Sequence, residues 1–293
     1  MLSFKRKLAI LNIENYYNRL VAGFSVWEIL LPLLGVLIGT IAALTGIGGG
    51  IFIIPLLTLL YTFSPTNAAG ISFIVIVFTA LVATLNFSRQ KRISYKTGLL
   101  LAPVTTSGGL LGVYMTTAMS ANMIGMFFGF FTIIFVAVPM SINTNFPRIK
   151  ISANIGRGKL ETESSGMLFC STNKVMLCLI LSYLAGIASG LLGIGCSLLI
   201  VPILIFVADM PIHLATATSM FSMIFTSSSE ALQHYFYFAN QTNLQFALLL
   251  ILGTTLGACI GVYASKKSSG KNLSLLFCAV LVIVGIIMIL KYI

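Results

Sequence analysis

Long apolar runs separated by short polar stretches dominate the chain. At about 20 residues per crossing, runs of this kind are helices that span a bilayer. The apolar pattern predicts helices over residues 27–44, 68–87, 98–117 and 122–140, and again over 175–191, 214–238, 244–265 and 272–289. Two breaks interrupt the pattern. Thr45-Gly46-Ile47-Gly48-Gly49-Gly50 leads into a short apolar run over 51–63, and Gly193-Ile194-Gly195-Cys196-Ser197 leads into another over 198–208. Glycine costs about 1 kcal/mol relative to alanine inside a helix, so neither stretch continues the helix before it. Ser64-Pro65-Thr66-Asn67 reads as a turn and helix start, and Asp209-Met210-Pro211-Ile212 as the corresponding turn.

The two breaks are copies of each other. Gly46 and Gly193 lie 147 positions apart, and the same offset carries Gly48 onto Gly195, Pro55 onto Pro202 and Ser72 onto Ser219. The pattern predicts an all-α polytopic membrane protein of two pseudo-symmetric halves, each holding a glycine-rich broken pair of short helices. The divisions are an N-terminal basic, interfacial segment (1–26), a first repeat (27–140), a mobile polar linker (141–174) and a second repeat (175–293). Irregular backbone at membrane depth is tolerated only where protein or a water-filled cavity covers it. Paired breaks in two halves are therefore the best sequence pointer to a transport site.

Composition supports the membrane assignment. Of 293 residues, 58% are hydrophobic and only 8% charged, against about 25% charged in a soluble domain. The net charge of +11 sits in short clusters between apolar runs, which marks cytoplasmic loops and not a nucleic-acid surface. The linker 141–174 is accordingly expected in the cytoplasm, and the protein in the cell membrane. Charge alone leaves the topology open. Five segments per half, with the N-terminus outside, put twelve basic residues inside and five outside; four crossings per half, with the N-terminus inside, give fourteen and three. Five segments make the halves inverted repeats. That count is the more natural, since 27–62 as one helix would be about 54 Å long, too long for one crossing.

Candidate chemistry is sparse. The five cysteines form neither a disulfide framework nor a zinc signature, and no metal or cofactor is expected. Nucleotide-loop and hydrolase motifs are absent, which excludes transport driven by this chain's own ATP hydrolysis. Free N–H groups at the starts of the short helices favour an anion. Thr45, Gly46, Gly48, Gly49, Gly50 and Ser72 from the first half, with Gly193, Gly195, Cys196, Ser197 and Ser219 from the second, are the candidate substrate-binding residues. Glu230 lies within an apolar run, where a carboxylate is a functional hypothesis by default. Thr226, Gln233 and His234 share its helix, with Thr226 and His234 one turn away on either side, and Asn86 ends a less polar face in the first half. These five residues are read either as a hydrated pathway with proton or ion coupling, or as a polar helix interface.

Gly-Ile-Gly-Gly-Gly followed by an apolar stretch and Pro55, then Ala68-Ala69-Gly70-Ile71-Ser72, with the weaker echo at Gly193 to Pro202 and Ala215 to Ser219, resembles the sulfite exporter TauE/SafE family of membrane permeases. The resemblance covers 27–293 and departs at Cys196 and Ser197. It implies movement of small sulfur-containing anions such as sulfite, thiosulfate or organosulfonates, coupled to an ion gradient. The resulting expectation is a secondary transporter, not an enzyme, in which one half rocks against the other around a small anionic substrate in the lipid bilayer. A passive anion channel on the same scaffold is the alternative, and a membrane enzyme using the Cys196 thiol is a remoter one.

Overall fold

The computed structural model describes residues 26–141, 172–238 and 243–265, together with 286 and 289–291 near the C-terminus. The N-terminal segment, nearly all of the linker and most of the last expected helix lie outside the described residues. Within them all regular structure is helical: α1 (Val26–Thr45), α2 (Gly50–Pro55), α3 (Pro65–Arg89), α4 (Tyr95–Thr116), α5 (Ala121–Ser141), α6 (Thr172–Leu192), α7 (Ser197–Phe206), α8 (Ile212–Phe238) and α9 (Leu244–Ala264). A π-helical turn, Leu56–Leu60, extends α2 directly after Pro55, whose missing N–H already disturbs the helical ladder there. The helix boundaries agree with the apolar pattern to within a few residues. Among the described residues, Pro65–Arg89, Tyr95–Thr116, Lys174–Leu192 and Leu244–Ala264 are long and apolar enough to cross a membrane. The chain is an all-α integral membrane protein.

Local chemistry sets the helix starts. Ser64 is extended, and its hydroxyl accepts the N–H of Asn67 at 3.3 Å, with Pro65 in the first turn of α3. That capping arrangement satisfies an otherwise orphaned donor. Asp209, in the turn before α8, takes a left-handed conformation at φ 51°, which aspartate tolerates better than most residues.

Contacts between helices fix their directions. Along α1 and α9, Pro32 meets Gly253, Val36 meets Gly257 and Thr40 meets Gly261, so the two helices run parallel. Along α6 and α4, Tyr183 meets Gly108 and Ile187 meets Gly112, again in parallel. Helices α3 and α8 run antiparallel: Gly70 and Phe73 near the start of α3 touch His234 near the end of α8, and Arg92, beyond the end of α3, lies beside His213 at the start of α8. Tyr61 and Phe63 stack edge-on against Phe246 at the start of α9, with ring centroids 5.2 and 5.1 Å apart. The chain leaving α2 has thus returned to the level at which α1 begins. Lys174 and Asp209 pair at 2.6 Å, so the chain leaving α7 has likewise returned to the start of α6. Helices α1–α2 and α6–α7 are therefore two hairpins entering from opposite ends, with the glycine breaks at their tips.

Small residues make the helix pairs possible. In lipid no hydrophobic force drives apolar helices together, so close backbone approach supplies the attraction. Along α9, Gly253, Gly257 and Gly261 lie so near the carbonyls of Pro32, Val36 and Thr40 that a Cβ would overlap them. The opposite face carries Leu248, Leu252, Leu256 and Ile260, each more than half exposed, the surface that lipid tails would cover. Gly257→Val is expected to lower stability by about 1–3 kcal/mol through overpacking, and Leu256→Ala to be near neutral. Thermal unfolding midpoints of the two variants in detergent check this contrast.

Candidate functional site

The two hairpin tips meet in the middle of the molecule. Gly46, Gly48 and Gly49 have φ of 78°, 86° and 86°, and Gly193 and Gly195 have 74° and 83°. Side chains rarely adopt this left-handed region. Cys196 and Ser197 depart from the glycines of the first break for a visible reason. Cys196 caps α7 at φ −63°, whereas Gly49 caps α2 at 86°. The second tip turns one residue earlier and tolerates a side chain there.

Contacts between the tips are reciprocal. The Ser72 hydroxyl donates to the carbonyl of Gly193, and the Ser219 hydroxyl lies 3.5 Å from the carbonyl of Gly46. Ser219 also donates to Thr216 O at 2.9 Å, and Ser197 donates to the carbonyl of Gly46. A Cβ on Gly46 would strike Thr216, and one on Gly193 would strike Ala69, the residue at the equivalent position. A Cβ on Gly50 would press on the carbonyls of Gly193 and Ile194 at 2.7 Å. Thr45, at the end of α1, donates to Ile41 O at 2.8 Å. Of the substrate-binding residues expected from the sequence, Gly46, Gly48, Gly50, Ser72, Gly193, Gly195, Ser197 and Ser219 are thus brought together, and Thr45, Gly49 and Cys196 adjoin them in the chain. The three serine hydroxyls spend their protons on main-chain carbonyls.

The N–H groups are the unspent donors. Gly46 and Ile47 bond to Ala42 O, and Phe52 and Ile53 to Gly49 O. Among the described residues no backbone carbonyl takes the N–H groups of Gly48, Gly49, Gly50 and Ile51, or of Gly195, Cys196, Ser197 and Leu198. Buried donors are ordinarily paired, so the tips hold hydrogen-bonding capacity that a ligand can satisfy. An apolar plug stands in front of them. The Met223 sulfur lies 2.7 Å from a Cβ placed on Gly48 and 3.1 Å from one on Gly195, and Ile76, the equivalent residue of α3, approaches the same two glycines. Both side chains are fully buried. Ile76 and Met223 carry no chemical signal in the sequence, although the 147-residue offset relates them as it relates Ser72 and Ser219.

The polar residues of α8 divide between two places. Glu230 and Thr226 are fully buried against α4 and α6. Thr226 shares a hydrogen bond of 2.7 Å with Thr105 of α4. Neither oxygen of Glu230 has a hydrogen-bond partner among the described residues. His234 packs instead on Gly70, Phe73 and Phe238. No ion pair or hydrogen bond joins it to Glu230, although the spacing of four residues allows one. Gln233 is half-buried, and its Oε1 has no hydrogen-bond partner among the described residues. Asn86 stands apart, donating to Val82 O at 2.8 Å and reaching Cys259 Sγ at 3.7 Å.

Two broken helical hairpins meeting inside an all-helical membrane protein are the kind of interrupted backbone that lines a transport site. The chain matches the model of the family described as sulfite exporter TauE/SafE over residues 31–170 and 178–293, and it belongs to that family. It is 28% identical over 264 residues to the probable membrane transporter protein YunE of Bacillus subtilis (strain 168), covering 88% of this chain and 95% of that one. It is 24% identical over 282 residues to the probable membrane transporter protein MJ0441 of Methanocaldococcus jannaschii, covering 89% and 96%. No solved structure matches it. The protein is a membrane transporter and not an enzyme.

The plug can be probed by stability. Gly48→Ala is expected to cost about 1–2 kcal/mol for a left-handed side chain and about 1–3 kcal/mol for overpacking against Met223. Adding Met223→Ala should recover the second part only. In a double-mutant cycle of unfolding midpoints, the pair should therefore fall short of additivity by about 1 kcal/mol or more.

Proposed function

We propose that the protein is a secondary transporter of a small sulfur-containing anion such as sulfite, thiosulfate or an organosulfonate. The observation that carries this reading is the meeting of two glycine tips, whose eight N–H groups at the helix starts no backbone carbonyl takes. Backbone donors aimed at one point at the starts of helices recognise negative charge without a fixed cation. Glycines let an anion reach the backbone. Ser72, Ser197 and Ser219 hold the tips in register, and Cys196 stands at the edge of the second. Met223 and Ile76 close the route in this conformation and must swing aside for the anion to pass.

The halves are read as inverted repeats of two domains, 27–140 and 175–293, joined by a cytoplasmic linker in a cell-membrane protein. The antiparallel packing of α3 on α8, which are equivalent under the 147-residue offset, supports inversion. Arg92 reaches Ser265 at 3.5 Å, which puts the basic loop 89–96 and the end of α9 at one end of the molecule, along with His213 and the start of α8. A positive end of this kind is the cytoplasmic one. Alternating access then exposes the tips first to one side and then to the other, coupled to an ion gradient through the Glu230 side of α8.

The test is uptake of radiolabelled sulfite and thiosulfate into proteoliposomes, with and without an imposed pH gradient. Saturable uptake that responds to the gradient, and that Gly195→Val abolishes in protein still inserted in the membrane, is the expected result. Uptake of neither anion by folded protein overturns the substrate class. Non-saturable flux indifferent to the gradient marks a passive channel instead.

A further inference from the structure

We infer that Glu230 is a proton-binding site, set in a cradle of Ser189, Thr226 and Cys196 beneath the second hairpin tip, and that it binds its proton together with the transported anion. The inference about the anion rests on the function proposed above; the proton site stands without it.

The cradle is assembled from four elements. Glu230 is fully buried on α8 and leans on α4 at Gly109, where any Cβ would collide with its Oε1. Ser189 of α6 lies beside the carboxyl. The Cys196 thiol of the tip lies beside the Thr226 hydroxyl and within electrostatic reach of the Glu230 carboxyl. Thr226 is bonded in turn to Thr105. The Ser189 hydroxyl and both carboxyl oxygens have no hydrogen-bond partner among the described residues, and no basic side chain pairs with Glu230.

The first half shows what this cradle replaces. The 147-residue offset carries Glu230 back to Ala83, Ser189 to Ala42 and Cys196 to Gly49. Ala83 and Ala42 are fully buried, and Ala42 lies 3.3 Å from a Cβ placed on Gly49. The same backbone packing is therefore built once from alanine and glycine alone. The fold does not need a carboxyl, a hydroxyl and a thiol at these positions, and only the second half has them.

An ionised carboxylate without a partner at this depth is strongly disfavoured. In the closed conformation the carboxyl accordingly carries a proton, and it releases that proton when water reaches the tip. α4 presents Thr105 and Gly109 and α6 presents Ser189, none of which titrates. The Cys196 thiol is the one titratable neighbour among the described residues, since His234 forms no pair with Glu230. The sign of coupling follows. An anion at the tip repels an ionised Glu230 and is compatible with a protonated one. Each ligand thus strengthens binding of the other, and proton and anion cross in the same direction.

Two measurements on the full-length protein test this. Infrared difference spectroscopy of purified protein without substrate, titrated through neutral pH, should show the carbonyl band of a protonated carboxylic acid. Glu230→Gln should remove that band. No such band, or a band that survives Glu230→Gln, overturns the proton site. In proteoliposomes containing a pH-sensitive dye, an inward thiosulfate gradient should acidify the lumen, with about one proton per anion as expected for a single carboxyl. Thiosulfate carries no proton of its own near neutral pH. Glu230→Gln should abolish the acidification. Thiosulfate entry without acidification, proton movement in the opposite direction, or a requirement for sodium overturns the coupling. If thiosulfate does not enter at all while the infrared band behaves as expected, the choice of anion fails and the proton site remains.

Discussion

Everything central in this molecule depends on main chain approaching main chain at membrane depth. Two helical hairpins end in glycine tips, and the tips touch through carbonyls that accept from serines of the opposite half. Neither tip is tenable alone in hydrocarbon, where exposed peptide groups are not solvated. Each supplies the cover and part of the hydrogen bonding that the other requires. The long helices α3 and α8 carry Ser72 and Ser219, and so hold the contact from both sides. This constraint also explains why the site has a donor surplus. The tips satisfy each other's carbonyls with side-chain hydroxyls, while no backbone carbonyl takes the N–H groups at the helix starts.

Much of this was legible in the sequence, because a repeat of 147 positions correlates the two halves residue by residue. Helix positions, the two breaks and the turn at Ser64 follow from apolar periodicity and from glycine and proline placement. The meeting of the breaks was not legible, since periodicity says nothing about which helices pack together. The separation of His234 from Glu230 was also hidden: spacing of four residues puts two side chains on one face, but packing against Gly70 or Gly109 decides where each points. Ile76, Met223 and Ser189 were missed for another reason. Apolar residues and a lone serine in a membrane helix carry no chemical signal until the offset is used to ask what stands opposite each of them.

The asymmetry between the halves is as informative as their likeness. Where equivalent residues match, as at Ser72 and Ser219, the contact serves the architecture. Where they diverge, as at Ala83 and Glu230, the smaller residue is already fully buried in one half and the larger one is found only in the other. An internal repeat thus acts as its own control. It separates residues that hold the fold from residues added to it, without reference to any other protein.

The glycine-lined helix pairs do not respect the two halves. α1 belongs to the first and is joined to α9 of the second, and α4 is joined to α6 in the same crossed manner. Both pairs therefore cross the boundary between the halves of the sequence, and a rigid rocking of one half against the other would have to slide both glycine-lined contacts. Biogenesis is constrained too. Gly35 of α1 packs on Gly253 of α9, so that at about 5–20 residues per second α1 waits on the order of ten to forty seconds for its partner to be synthesised. During that interval the first hairpin sits in the membrane with its glycine stripe uncovered and its tip unmatched. The first half of this protein enters the bilayer as an unfinished structure, and only the last part of the chain completes it.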